Sequence, residues 1–156
     1  MAAQTNYNYG TPKGVAGGKF DIAFDEVVTR KNEEQNGIMK FGMAVAVGTS
    51  AGKTVKVPTA GTTAEQIEGI AIALPNTEQD MQGNVVVRQN TSLSIMKKGN
   101  IWGRLASGIT PAYGSAAYVV VSGDDAGTFT TASDGNVDIG ATFGNASDDG
   151  IAVIVL

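Results

Sequence analysis

Within Gly48-Thr-Ser-Ala-Gly52-Lys53-Thr54 this chain comes nearest to a phosphate cradle. Such a loop needs four residues between its glycines and a helix opening directly after the Lys-Ser/Thr pair, so that free amides and the helix dipole face the anion. Here three residues intervene, and Val55-Lys56-Val57-Pro58 continues with strand character. A hairpin turn is the expected structure. Ser94-Ile-Met-Lys97 has the spacing of a Ser-x-x-Lys acyl-transfer pair, in which one helical turn brings the amine to the hydroxyl. On a strand, residues three apart point to opposite faces, and neither Ser-Asp-Asn nor Lys-Thr-Gly occurs in the chain. Asp124-Asp125 and Asp134-x-x-x-Asp138 could offer oxygens to calcium, but they lack the alternating acids and terminal Glu of a calcium loop. They read as solvated turns. Two carboxylates could also serve glycoside hydrolysis, with Asp138 as one of them, yet one Trp and four Tyr leave little to build a sugar platform. Trp102 and Arg104 share one strand face, either as a binding hot spot or as a core Trp with Arg at its rim.

The wider inventory narrows the chemistry. Among 156 residues there is no His and no Cys, which excludes Ser-His and Cys-His nucleophiles, thiolate zinc sites, haem ligation and dithiol redox pairs. The expectation is a protein that is not an enzyme, with no cofactor and no metal site. Net charge is −4, unevenly spread. The first 104 residues hold all eleven basic residues and nine acidic ones; the last 52 hold six Asp and no base. That polarity can orient a subunit against a charged surface. Eleven scattered basic residues argue against nucleic-acid binding. The opening MAAQTNYNYG has neither a basic n-region nor an apolar h-region, and no stretch approaches the ~18 apolar residues of a membrane span. No membrane partner is expected, and the chain reads as soluble and made in the cytoplasm.

The elements that must carry these residues are strands. Val, Ile and Thr number 42 against four Leu, a bias that suits pleated, half-buried segments. From Ile38 onward, apolar runs recur at 38–47, 53–57, 67–74, 84–89, 91–96, 100–106, 116–121, 127–131, 136–143 and 151–156, each bounded by Gly, Asn, Asp or Ser. About nine to ten short strands at this spacing indicate an all-β, jelly-roll-like sandwich or barrel. In Met43-Ala44-Val45-Ala46-Val47 and in Gly69-Ile70-Ala71-Ile72-Ala73-Leu74, bulky residues alternate with Ala and Gly. The thin face either faces solvent or admits another layer, the chain's own arm or a neighbouring subunit. Residues 151–156 are apolar on both faces and belong in the middle of a sheet or across a subunit boundary. Thr62-x-x-Glu65 has capping-box spacing, limited to about one turn by Gly69 and the β-branched residues after it. The expected organisation is an extended N-terminal arm over 1–37 with room for one short strand, at the alternating Phe20, Ile22 and Phe24, and a β body over 38–156.

The order of motifs resembles the structural cement (capsid decoration) proteins of tailed bacteriophages. The likeness runs from Gly14-Val-Ala-Gly17-Gly18 through Ile38-Met-Lys-Phe41-Gly42-Met-Ala-Val45, Val57-Pro58 and Gly69-Ile70-Ala71. It continues to Gly114-Ser-Ala-Ala-Tyr118-Val119, Ile139-Gly140-Ala141 and Ala152-Val-Ile-Val155. The resemblance implies a β module with an extended segment, forming a homo-oligomer (dimer or trimer) that sits on the outside of a capsid across joints between major capsid protein subunits. On that footing the expected capsid-contact residues are Tyr7, Tyr9, Lys13, Lys19 and Phe20, the aromatics for buried area and the lysines for attraction to an acidic shell. The location implied is the virion surface. A ligand- or glycan-binding β domain on the phage head or tail, using the Asp-rich turns and Trp102, is the alternative.

Overall fold

A computed structural model describes residues 14–75, 78–145 and 149–156. Twelve strands are present among them: β1 (Glu26–Asn32), β2 (Ala44–Val47), β3 (Thr54–Lys56), β4 (Ile67–Ala71), β5 (Glu78–Gln79), β6 (Val85–Val86), β7 (Ser92–Lys98), β8 (Asn100–Arg104), β9 (Ala116–Val119), β10 (Phe129–Thr130), β11 (Val137–Phe143) and β12 (Ile151–Val155). Each of the ten apolar runs overlaps one of them, β7 extending two residues past its run. The remaining two are β5, in a short hairpin with β6, and β1. No helix among the described residues is long and apolar enough to cross a membrane.

The strands form two bodies with a shared core. A closed barrel runs β1-β3-β2-β4-β7, and an open five-stranded sheet runs β10-β9-β11-β12-β8. The all-β sandwich or barrel thus takes the form of a barrel packed on a sheet. β7 and β8 are one chain path bent at Gly99, so a single ribbon leaves the barrel and enters the sheet, a common device for turning a corner between sheets. β12 lies between β11 and β8, inside the sheet, where its two-sided apolar pattern belongs.

Met43, Val45, Leu93 and Ile95 fill the barrel, while Ala44, Ile70, Met96, Phe129, Phe143 and Ile154 form the seam between barrel and sheet. Of the small side chains on β2, Ala44 therefore faces the chain's own C-terminal sheet, not the arm, a neighbouring subunit or solvent. Ala44 lets that sheet approach; on β4 the roles reverse, with Ile70 in the seam and Ala71 toward the lumen. The capping signal yields one 3-10 turn, Ala64–Gln66, where the Thr63 amide donates to Gln66 Oε1 at 3.0 Å, one residue beyond the expected Thr62/Glu65 register.

The barrel draws a stave from within the expected arm. β1 pairs antiparallel with β7 and parallel with β3, closing the cylinder N-terminal of the 37/38 division. Its inward positions are Val28, Arg30 and Asn32. Asn32 is fully buried and fully used: Nδ2 donates to the Arg88 carbonyl at 3.0 Å and Oδ1 accepts from the Glu34 amide at 3.0 Å. The alternating Phe20, Ile22 and Phe24, by contrast, form no strand beyond an isolated bridge at Lys19.

Candidate functional site

β8 is an edge strand, and an unpaired edge offers its amides and carbonyls to any passing chain. Here the arm covers it. The Gly17 amide donates to the Trp102 carbonyl at 2.7 Å, the Trp102 amide to the Gly18 carbonyl at 2.9 Å, and the Phe20 amide to the Asn100 carbonyl at 2.9 Å. Farther along the same edge, the Arg104 amide donates to the Gly42 carbonyl at 2.8 Å. On its other side the arm reaches the barrel, where the Gly17 carbonyl accepts from the Ala73 amide at 2.9 Å. The arm thus fills the groove between the barrel and the sheet as an added strand-like segment.

Two glycines make that fit. Gly17 has φ +80° and Gly42 φ +79°, conformations that side-chain-bearing residues rarely adopt. A Cβ on Gly42 would lie 2.8 Å from the Gly17 nitrogen, and one on Gly17 would lie 2.7 Å from the Ala73 nitrogen. The Gly-rich string of the arm and the Phe41-Gly42 step are two halves of one close-packed contact.

Trp102 lies under the arm and is 7% exposed, packed with Ile151, Val153 and Ala16 on the outer face of the sheet. The Phe20 ring meets it edge-on, with centroids 5.7 Å apart. Of the two readings of the Trp102/Arg104 pair, the structure shows the buried one. Arg104 stands at the rim, where its Nε donates to the Phe41 carbonyl at 2.8 Å.

Past Phe20 the chain turns outward. Ile22 and Phe24 are 105% and 86% exposed, and Phe20 itself remains 41% exposed. Three large apolar side chains in five residues at one projecting loop form the kind of patch that marks a contact surface. The loop is held from within: the Asn100 side-chain amide donates to Asp21 at 2.7 Å, and Lys19 forms an ion pair with Asp25. Of the five expected contact residues, Lys19 and Phe20 flank this loop, while Tyr7, Tyr9 and Lys13 lie outside the described residues. Lys19 meets Asp25 rather than standing as an open positive charge. Ile22 and Phe24 lie outside the five expected contacts; their alternation with Asp21, Ala23 and Asp25 is the signal in the sequence, and it predicts a strand where the structure has a projecting loop.

The other chemical candidates resolve into structure. Gly48 to Thr54 is the β2–β3 turn, and its amide niche is filled by the chain's own Glu33, whose carboxylate accepts from the Thr49 amide at 2.9 Å. Hydrogen bonds from the Thr54 hydroxyl and then the Thr49 amide hold the Glu33 carboxyl below its ordinary value. Ser94 and Lys97 sit on β7, three residues apart on a strand. Asp125 accepts from the Ser107 amide at 3.1 Å, tying two loops together, and Asp138 accepts from the Gly140 amide at 2.8 Å where the β11–β9 register shifts, so each serves local backbone structure. Among the described residues no group of three acids, His or Cys is placed to hold a metal ion.

The described chain is thus a barrel fused to a sheet, with a glycine-packed arm and a projecting apolar loop. Residues 3–156 match the family described as "Structural cement protein (E217 gp24/Pam3 gp6)", and the chain belongs to that family. Among solved structures, a chain from "The capsid of Myoviridae Phage XM1" has the same fold, with a TM-score of 0.73 at 15% identity over 99% of this chain and 97% of that one. No curated protein matches the sequence.

Proposed function

We propose that this chain is a non-enzymatic virion protein that binds the outside of a phage capsid across joints between major capsid protein subunits and stabilises the shell. In this reading it is made in the host cytoplasm, assembles as a homo-oligomer (dimer or trimer), and reaches the shell through its N-terminal segment. Membership of the structural cement family supports the setting. The observation that carries the contact itself is the loop 20–24, which presents Phe20, Ile22 and Phe24 to solvent on a base tied down by Asp21 and Asp25.

The physics suits the role. A ligand that binds the assembled shell better than its separated subunits stabilises the assembly by mass action, and many copies repeat the effect. Burying a side chain such as Ile22 or Phe24 is worth roughly 1.5–3 kcal/mol, and a loop already held in place loses little freedom on docking. The glycan-binding alternative loses its aromatic platform, because Trp102 lies beneath the arm.

Gradient co-sedimentation of the purified chain with source virions stripped of it tests the reading. Saturable binding of hundreds of copies per head, with shells that then resist heat or low salt better than bare ones, is the expected result. Saturation at a few copies, or recovery of the chain only at the top of the gradient, would sink it.

A further inference from the structure

Between the docked arm, the β5–β6 hairpin and the edge of β8 lies a cleft of about 760 Å³. Its walls include Val15, Leu74 and Val85, and its charged residues are Lys40, Asp80 and Arg104. Val15 and Val85 are 67% and 40% exposed, so apolar area faces the opening.

The charges do not balance internally. Asp80 is engaged with its own hairpin: it accepts from the Gln82 amide at 2.9 Å and the Asn84 amide at 2.8 Å on one oxygen, and from the Asn84 side chain at 3.0 Å on the other. Arg104 commits only Nε, to the Phe41 carbonyl, and forms none of the ion pairs among the described residues. Its two terminal nitrogens, the pair that grips a carboxylate in parallel, have no acceptor among the described residues. Burial lowers the Arg104 pKa from its ordinary value, as expected for a half-buried cation without a counter-ion. Lys40 adds a second, exposed positive charge at the same opening.

We infer that this cleft seats an extended segment of the shell protein that carries a carboxylate between apolar side chains, the carboxylate gripped by Arg104 and its neighbours resting on Leu74 and Val85. The inference rests on the shell-binding reading above and names the chemistry of the partner. Charge complementarity selects an acidic group, the planar guanidinium fork fits a carboxylate, and the apolar walls select a peptide segment over a free anion. The arm forms one wall through Val15, so the docked arm is part of the site.

The test uses the full-length chain and shells stripped of it. Arg104→Gln is expected to weaken shell binding about tenfold or more, with Arg104→Lys in between, since a point charge replaces the fork. Lys40→Glu, at an exposed position that leaves the Phe41 contact alone, is expected to weaken binding in the same direction while the melting temperature stays unchanged. Failure of the unmodified chain to bind shells overturns the shell reading and this inference with it. Binding by the unmodified chain, with Arg104→Gln and Lys40→Glu equally tight, overturns the cleft assignment alone. If the substitutions instead change the mass of the free chain in solution and leave shell binding intact, the occupant is a second copy and the shell-protein assignment is overturned.

Discussion

Gly14 lies flat against the indole of Trp102, so close that a Cβ there would fall 2.1 Å from Cε2. Two further links join the same Trp to the arm, the Gly17 amide to its carbonyl and its own amide to Gly18. The arm is therefore zipped to β8 by backbone pairing and clamped by ring contact. Gly14→Val is expected to force the arm off the indole while the barrel and sheet stay folded. A small-to-large change in a packed contact costs about 1–3 kcal/mol, and each kcal/mol lowers the melting temperature by roughly 2–4 °C in a chain of this size. The distinguishing readouts are a red-shifted Trp emission, since Trp102 is the only Trp, and faster tryptic cleavage after Lys19. An unchanged spectrum with unchanged cleavage would show that the contact is not what holds the arm.

The projecting loop gives the opposite signature. Ile22 and Phe24 make almost no use of their area in the free chain, so Ile22→Asp and Phe24→Asp are expected to leave stability within about 0.5 kcal/mol. Shell binding is expected to fall by at least tenfold for either and further for the pair. Thermal unfolding and co-sedimentation, measured on the same preparations, separate the two effects. A large loss of stability would mean that the loop packs inward after all.

How much of this was legible in the sequence follows from where each residue finds its partners. The ten runs between Gly and Asp turns each hold a strand because alternation and β-branching are local signals. β1 escaped notice because its inward positions include Arg30 and Asn32, whose partners Glu68 and Arg88 lie 38 and 56 residues away. Phe20, Ile22 and Phe24 mislead for the converse reason: alternation describes a strand only where a neighbouring strand pairs with it, and β8 pairs with the arm only as far as Phe20. The Gly-rich arm is recognisable as a motif, but its cause is not, since Gly42 needs glycine because of Gly17, and Gly17 because of Phe41, Ala71 and Ala73, all distant in sequence. Trp102 could be narrowed to core or contact; only the docked arm decides between them.

Arg30 and Glu68 form an ion pair at 2.5 Å with side chains 16% and 8% exposed, joining β1 to β4. Removing one partner strands the other charge in a poorly solvated site, which costs far more than the pair contributes when intact. Arg30→Met is expected to lower stability by roughly 3 kcal/mol, visible as a lower urea midpoint. The double change Arg30→Met with Glu68→Leu is expected to recover most of that loss, because it leaves no uncompensated charge. A double variant as unstable as the single one would assign the cost to packing instead.

Glu33 makes part of the fold sensitive to acid, and the sign follows from the direction of its shift. Its carboxyl is held below the ordinary value of 4.5 by hydrogen bonds from Thr54, Thr49 and Ser50 that only the folded chain supplies. A folded pKa below the unfolded one means that the stabilisation is fully present above pH 4.5 and disappears as pH falls through the lower, folded value. Asp80, lowered chiefly by the Asn84 side chain, acts in the same sense at the β5–β6 turn. Urea midpoints measured from pH 6 to pH 3 are expected to fall for the unmodified chain. Glu33→Gln is expected to start lower at pH 6, since a neutral amide accepts these hydrogen bonds more weakly, and to show a shallower fall toward pH 3. Parallel curves for the two proteins would remove Glu33 from the account and leave the acid response to the other carboxylates.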